Sequence, residues 1–255
     1  MNQPLIFDIA LGYRKPVNIR NEKIACPFCD TSHLTDILDR NGTMIWLKNK
    51  YPVLQDTWPT VIIETDDCHG EFSAYDPHQA AAIISFSMDK WIETMKDRRF
   101  KSVLYFKNYG PLSGGSIRHP HSQIIGLETY DYCEDIKPYH FDGWLLKEDD
   151  TIKITLSKHP LIGFFEYNLQ FPHSVNRSKL SRRMQQITKY IISTMKSYTK
   201  SYNFFFYNLH DDYYYAKIIP RYVTTPLFIG YKIPQIGCES RVATIQKELK
   251  AYWNL

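Results

Sequence analysis

Apolar positions along the chain follow first a strand period and then a helical one, and this cycle comes twice. Thr60 to Thr65 is a β-branched run with weak alternation, which predicts a strand covered on both faces. A helix follows, with Asp76 as N-cap and Pro77 at its first position, because Ile84, Met88, Trp91, Ile92 and Met95 then share one face. Next come a strand over Ser102 to Asn108, a turn-rich loop from Tyr109 to Arg118 holding Gly110, Pro111, Gly114 and Gly115, and a strand over Ser122 to Thr129.

Past Tyr130 the chain turns acidic and irregular, the expected connection between a half spanning residues 1–145 and one spanning 146–255. The cycle then resumes. Ile152 to Leu156 and Phe164 to Phe171 read as strands, and a helix from about Ser178 to Tyr202 puts Met184, Ile187, Ile191, Met195 and Tyr198 on one stripe. Asn203 to Leu209 and Tyr213 to Arg221 are further strands, and a closing helix sets Val242, Ile245, Leu249 and Tyr252 in phase. Aligned on their Ile-Ile pairs, the halves set Gln123 against Lys217, His121 against Tyr215 and His119 against Tyr213, with His173 a loose counterpart of His69. On this reading chemistry survives only in the first copy. The apolar stripes are core, and no function attaches to them.

Composition narrows the classes. The chain has 255 residues with 44% hydrophobic and 23% charged content, enough for a real core and too mixed for a disordered or fibrous protein. No apolar run approaches the roughly 20 residues that cross a bilayer, and Asp8 interrupts the N-terminal hydrophobic patch, so neither a membrane span nor a secretion signal is expected. Lys and Arg number 31 against 27 acidic residues, a net charge of +4 that gives little support to nucleic-acid binding. The richest basic segment, Arg177, Lys179, Arg182 and Arg183, reads as a solvated helical face, since no aromatic residues interleave it. Five cysteines, odd in number, are expected to be reduced thiols of a cytosolic protein, with Cys26 and Cys29 spaced to bind metal.

The segment from Asn108 to Gln123 is the specific part of the sequence. His119, His121 and Gln123 recur at i, i+2 and i+4, so on an extended chain they face one way at about 6 to 7 Å spacing. The preceding Gly114-Gly115-Ser116 loop can bring backbone N–H groups against phosphate oxygens with no Cβ in the way, and Asn108, Ser113 and Ser116 add side-chain donors. An imidazole with an ordinary pKa near 6.5 is largely neutral at cellular pH and can attack phosphorus to give a covalent phosphoramidate. The plainer reading, histidines at a strand end satisfied by carbonyls, does not account for the pair, the glutamine and the loop together.

This string, with His119-Pro120-His121-Ser122-Gln123 at its core, resembles the active-site segment of the galactose-1-phosphate uridylyltransferase family of the histidine-triad (HIT) superfamily, which also includes ADP-glucose and diadenosine-polyphosphate phosphorylases. Cys26-Pro27-Phe28-Cys29 and the strand before His69 belong to the same likeness. The resemblance implies an α+β fold of two tandem HIT-like repeats, each a mainly antiparallel sheet with a packed helix. It also implies a nucleotidyltransferase in which His121 is the nucleophile, Gln123 holds a non-bridging oxygen, and Asn108, Gly114, Gly115 and Ser116 bind the phosphates. Arg118, Arg14 or Arg20 would supply counter-charge. The partners implied are a nucleotide sugar and a sugar phosphate or phosphate, and a homodimer is expected by analogy alone.

The same resemblance implies a structural zinc ion on Cys26, Cys29, His69 and His119, with Cys68 or His33 as substitute ligands. A glutaredoxin-like redox pair is the competing reading of the cysteines, but Asp30 to His33 reads as a loop where that motif wants a helix. In the second copy Tyr213 to Tyr215 and Lys217 stand where related enzymes often carry another metal cluster, so no second metal is expected. The chain is also short for a uridylyltransferase. Three readings therefore stand: a nucleotidyltransferase, a phosphorylase or hydrolase using the same histidine, and a zinc-stabilised nucleotide-binding protein without turnover.

Overall fold

The protein, seen in a computed structural model, is described at residues 2–19, 21, 23–195 and 199–254. It divides into two compact units, one of Met1–Glu71 with Ala82–Asp135 and the other of Phe72–Ala81 with Ile136–Leu255.

In the first unit five strands, β1 (Ile37–Asn41), β2 (Met44–Lys48), β3 (Thr57–Ile63), β4 (Ser102–Tyr109) and β5 (His121–Leu127), pair in the order β1-β2-β3-β5-β4, antiparallel throughout. A short helix, α1 (Ile9–Gly12), precedes them. The β1–β2 hairpin was not expected, although its signal is present. Asn41 pairs with Met44 across a two-residue turn whose first position, Gly42, has φ 60°, a conformation glycine adopts without a Cβ penalty. Helix α2 (Pro77–Met95) begins where expected, the Asp76 carboxylate accepting the His78 N–H at 2.8 Å. Ile84, Met88 and Trp91 on its buried face are at most 1% exposed, and the Trp91 indole donates to the Val103 carbonyl at 2.9 Å. That covers one face of the sheet, the side of Ile62, Val103, Tyr105 and Ile124. The opposite face carries Val61, Ile63, His121 and Gln123, and there Ile45, Leu47, Val61 and Ile63 form a core topped by Phe28, Leu34 and Ile37.

The second unit repeats the plan. Strands β6 (Gly143–Glu148), β7 (Lys153–Ser157), β8 (Tyr167–Pro172), β9 (Tyr202–Asn208) and β10 (Tyr213–Pro220) run antiparallel in the order β6-β7-β8-β10-β9. The same strand permutation in both units makes the chain an α+β protein of two tandem repeats. Strand β6 was not expected, because its burial is irregular and a bulge between Leu145 and Lys147 breaks the period of two. Helix α3 (Arg177–Ser193) is capped by the Asn176 side chain and buries Met184, Ile187 and Ile191. It ends nine residues before the expected Tyr202, with Thr194 as its C-cap, where the β-branched and Ser residues that begin the next segment are poor helix formers. Met195 is buried on that stripe, while Tyr198 lies outside the described residues. Helices α4 (Pro226–Tyr231) and α5 (Glu239–Trp253) complete the unit, with Val242, Ile245 and Leu249 of α5 buried. Among the described residues no helix is long and apolar enough to cross a membrane.

Candidate active site and metal centre

Strand β5 carries the site. Val61 and Phe106 lie opposite Gln123 in the neighbouring strands, and Ile63 lies opposite His121, so both side chains project from the face away from α2. His119 sits just ahead of the strand. Its backbone is held where the Glu64 N–H reaches the Pro120 carbonyl at 3.1 Å. The three residues therefore do not share a single strand, but Phe28 joins the two histidines: its ring meets His119 edge-on at 6.0 Å and His121 at 5.3 Å. The residue between the two N-terminal cysteines thus packs on both histidines.

The His121 ring is 5% exposed, and its Nδ1 lies 2.7 Å from the His119 carbonyl. A carbonyl only accepts, so Nδ1 carries the proton and Nε2 keeps its lone pair. Nε2 has no hydrogen-bond partner among the described residues. Burial brings the ring's pKa down to about 4 against the pull of the His119 carbonyl, and the Lys107 ammonium adds to the lowering. The imidazole is neutral across the physiological range.

His119 is used differently. Its Nε2 lies 2.7 Å from the Thr65 carbonyl, while Nδ1 faces Cys26 Sγ at 3.6 Å and Cys29 Sγ at 3.5 Å. The ligand-type atoms of Cys26, Cys29, Cys68 and His119 all lie within 4.8 Å of one another. Three of the four expected metal ligands are therefore brought together, and the fourth is Cys68 in place of His69. The reason is the turn after β3. The Asp67 carboxylate accepts the His69 N–H at 2.9 Å and its carbonyl accepts the Gly70 N–H at 3.3 Å, which leaves Cys68 facing the cysteine pair and His69 exposed. His33 is also outside the cluster, bound to Asp30 at 2.7 Å.

The donor set fits a divalent metal. Burial opposes ionisation of Cys26, but the His119 ring and the Phe28 N–H bring it down to about 6. Burial and the sulfurs of Cys68 and Cys26 then push Cys29 up to about 12, and burial with Cys26 raises Cys68. Only a cation lets three such thiols ionise together. A tetrahedral zinc with sulfurs at about 2.3 Å sets them about 3.8 Å apart, within a small closure of the spacing seen. The Thr65 carbonyl holds the far nitrogen of His119 as an outer partner of a metal-bound histidine does.

The loop from Gly110 to Arg118 is built by its own side chains. Ser113 is buried, donating to the Gly110 carbonyl at 2.6 Å, so its hydroxyl is spent on the loop. Gly110 and Gly114 have φ of 80° and 86°, and a Cβ on Gly115 would stand 3.1 Å from that of Asn108. The glycines thus let the loop close onto the end of β4. Its far end is pinned by the N-terminal segment: Asn18 accepts the Arg118 N–H at 2.8 Å and the Ile19 N–H reaches the Ser116 carbonyl at 3.1 Å. Ser116, Arg118, Asn108 and Gln123 are half-buried and Gly114 is exposed. Arg14 is exposed beyond α1, and Arg20 lies outside the described residues. Phe28, Thr65 and Asn18 escaped the sequence reading because two act through backbone contacts or packing and none carries a chemical signature of its own.

Comparison with known proteins agrees with this layout. Two family models match, the N-terminal domain of the domain of unknown function DUF4931 at residues 7–130 and its C-terminal domain at residues 133–253. A crystal structure of a DUF4931 family protein from Bacillus cereus is 37% identical with a TM-score of 0.78, over 86% of this chain and 100% of that one. An ADP-glucose phosphorylase from Arabidopsis thaliana, solved with bound ADP-glucose, is 17% identical with a TM-score of 0.69, over 96% and 98% of the two chains. A uridylyltransferase structure is 15% identical with a TM-score of 0.69, over 89% and 92%. Among curated proteins none matches the sequence. The fold is shared with these uridylyltransferase and ADP-glucose phosphorylase structures.

Proposed function

We propose that this chain, which belongs to the DUF4931 family, is a nucleotide-handling enzyme of the histidine-triad type that transfers a nucleotidyl group through His121. The observation that carries this reading is the 2.7 Å bond from His121 Nδ1 to the His119 carbonyl, which leaves a neutral ring with its Nε2 lone pair unclaimed. The substrate class is a nucleotide sugar or related nucleoside diphosphate. Nε2 attacks the α-phosphorus, the N–P bond forms as the P–O bond to the leaving phosphate breaks, and a second displacement passes the nucleotide to an acceptor. Gln123 steadies a non-bridging oxygen. Asn108, Ser116 and the Gly114-Gly115 backbone hold the phosphates, and Arg118 offsets charge, so catalysis is positioning plus charge stabilisation.

Cys26, Cys29, Cys68 and His119 hold zinc in this proposal. Bound there, zinc supplies a rigid tetrahedral node and no reaction step. Its protein partners do the positioning: His119 carries the carbonyl that orients His121, and Phe28 packs on both rings.

A second reading keeps His121 and replaces the sugar phosphate acceptor by phosphate or water. The likeness to a phosphorylase over nearly the whole of both chains favours it. Incubation with UDP-glucose, ADP-glucose or diadenosine tetraphosphate labelled at the α-phosphate tests both. We expect acid-labile, base-stable label on the protein and none on His121→Asn, with acceptor dependence separating transferase from phosphorylase. Absence of label from every donor in the unaltered protein would leave a nucleotide-binding protein without turnover.

A further inference from the structure

We propose, on the reading that His121 is the nucleophile, that the buried ion pair of Glu64 and Lys107 is a positioning device that fixes the place of Asn108 against the imidazole. Lys107 Nζ lies 2.6 Å from Glu64 Oε2, and the two side chains are 3% and 2% exposed.

Their place in the sheet gives them that role. Strand β5 runs between β3 and β4, so a bond between the ends of those two strands must cross β5. Glu64 follows Ile63, the partner of His121, and its N–H holds the Pro120 carbonyl at 3.1 Å. Lys107 pairs with Ser122 and is followed by Asn108. Residues opposite one another in a sheet share a face, so Glu64, Ser122 and Lys107 lie on the side of α2, while His121 projects from the other side. The pair therefore passes directly behind the nucleophile, joining strands about 10 Å apart. One end is the neighbour of Asn108, and the other is bonded through its backbone to the proline between the two histidines.

Stability alone does not account for a buried ion pair, because apolar residues of similar volume serve as well or better. The second unit supplies the comparison. With His121 aligned on Tyr215, the registers put Phe171 in the place of Glu64 and Phe206 in that of Lys107, on either side of β10. Both phenylalanines are buried, so the repeat with Tyr215 in place of the imidazole fills the same two positions with apolar rings. The fold does not require charge there. What the charged pair adds is direction: a carboxylate and an ammonium joined by a hydrogen bond hold a set distance and angle, and packed rings carry no such restraint. Attack on phosphorus depends on that restraint, since a misplacement of about 1 Å costs on the order of 10²-fold in rate.

The test replaces the pair by apolar residues, Glu64→Leu with Lys107→Met. The double variant is expected to melt within a few degrees of the unaltered protein. With the donor that labels the unaltered protein, it should form protein-bound label about tenfold or more slowly at saturation, the half-saturating concentration changing less than about threefold. Without ligand, the His121 ring and Asn108 amide resonances, identified by their loss in His121→Asn and Asn108→Ala, are expected to move. Labelling at the unaltered rate overturns the proposal. So does a double variant that fails to fold or melts far lower, because the pair is then a requirement of the fold. If no donor labels the unaltered protein, the nucleophile reading fails, and the resonances alone decide the positioning role: moved, they uphold it, and unmoved, they overturn it.

Discussion

Strands β5 and β10 occupy the same slot in their respective units, each between the two strands that precede it in the chain, yet their outward faces have opposite fates. On β5, His121 has one nitrogen bound to a backbone carbonyl and the other without a hydrogen-bond partner among the described residues. On β10, Lys217 is fully buried and saturated: its ammonium reaches Glu166 and Asn168 at 2.8 Å and the His140 carbonyl at 2.9 Å, with Phe141 beneath it at 5.1 Å. An ammonium has three protons to donate, and all three are placed. One repeat keeps a polar group available to a ligand, and the other turns the equivalent face into a closed internal network. The difference lies in a few side chains, because the strand order is the same in both.

The comparison breaks most visibly at its reactive end. His121→Asn should lower formation of a protein-bound nucleotide by on the order of 10³ or more, whereas Lys217→Met, per folded molecule, should leave it within a few-fold. Labelling with the α-phosphate donors measures both. Equal losses in the two variants would mean that the repeats are not specialised in this way.

The closed end should show itself in stability. Removing one partner of a buried pair strands the other, so Lys217→Met is expected to cost about 3 to 5 kcal/mol in denaturant unfolding. Adding Glu166→Gln should recover a large part of that loss, since no uncompensated charge then remains.

Metal content sharpens the first half. Cys68→Ser should lose most of the bound metal and lower the melting temperature, while His69→Ala should keep both, as measured by metal analysis and thermal unfolding. Metal binding must expel protons from Cys29 and Cys68, whose pKa values lie above the ordinary thiol value, so affinity falls as pH falls and rises toward alkaline pH. The smallest effect is at the loop. Gly115→Ala places a Cβ 3.1 Å from Asn108, which should raise KM a few-fold with stability changed by about 1 kcal/mol or less.

Much of the architecture was legible because it depends on local periodicity. The start of α2 at Pro77, the stripes of α2 and α5, and the strands β3, β4, β5, β9 and β10 follow from residues that pair with or pack on near neighbours in sequence. Asn41-Gly42 between two apolar runs was a hairpin signal that the strand period alone did not catch. Strand β6 was hidden by its bulge, and the end of α3 by apolar residues that keep the helical period after the helix has stopped.

What the sequence by itself determined is the chemistry at hand: a paired Cys26 and Cys29, two histidines flanking a proline, a glutamine two residues on, and a glycine-rich loop before them. Only the tertiary structure decided which atoms meet. Cys68 and His69 are adjacent, and the choice between them was made by the hydrogen bonds of the Asp67 turn. The two nitrogens of His121 are identical in sequence, and a backbone carbonyl told them apart. Glu64 and Lys107 lie 43 residues apart in the chain, and they meet only because β5 pairs between their two strands. Periodicity is written between near neighbours, whereas a site is made by groups brought together from distant parts of the chain, and their geometry exists only after folding.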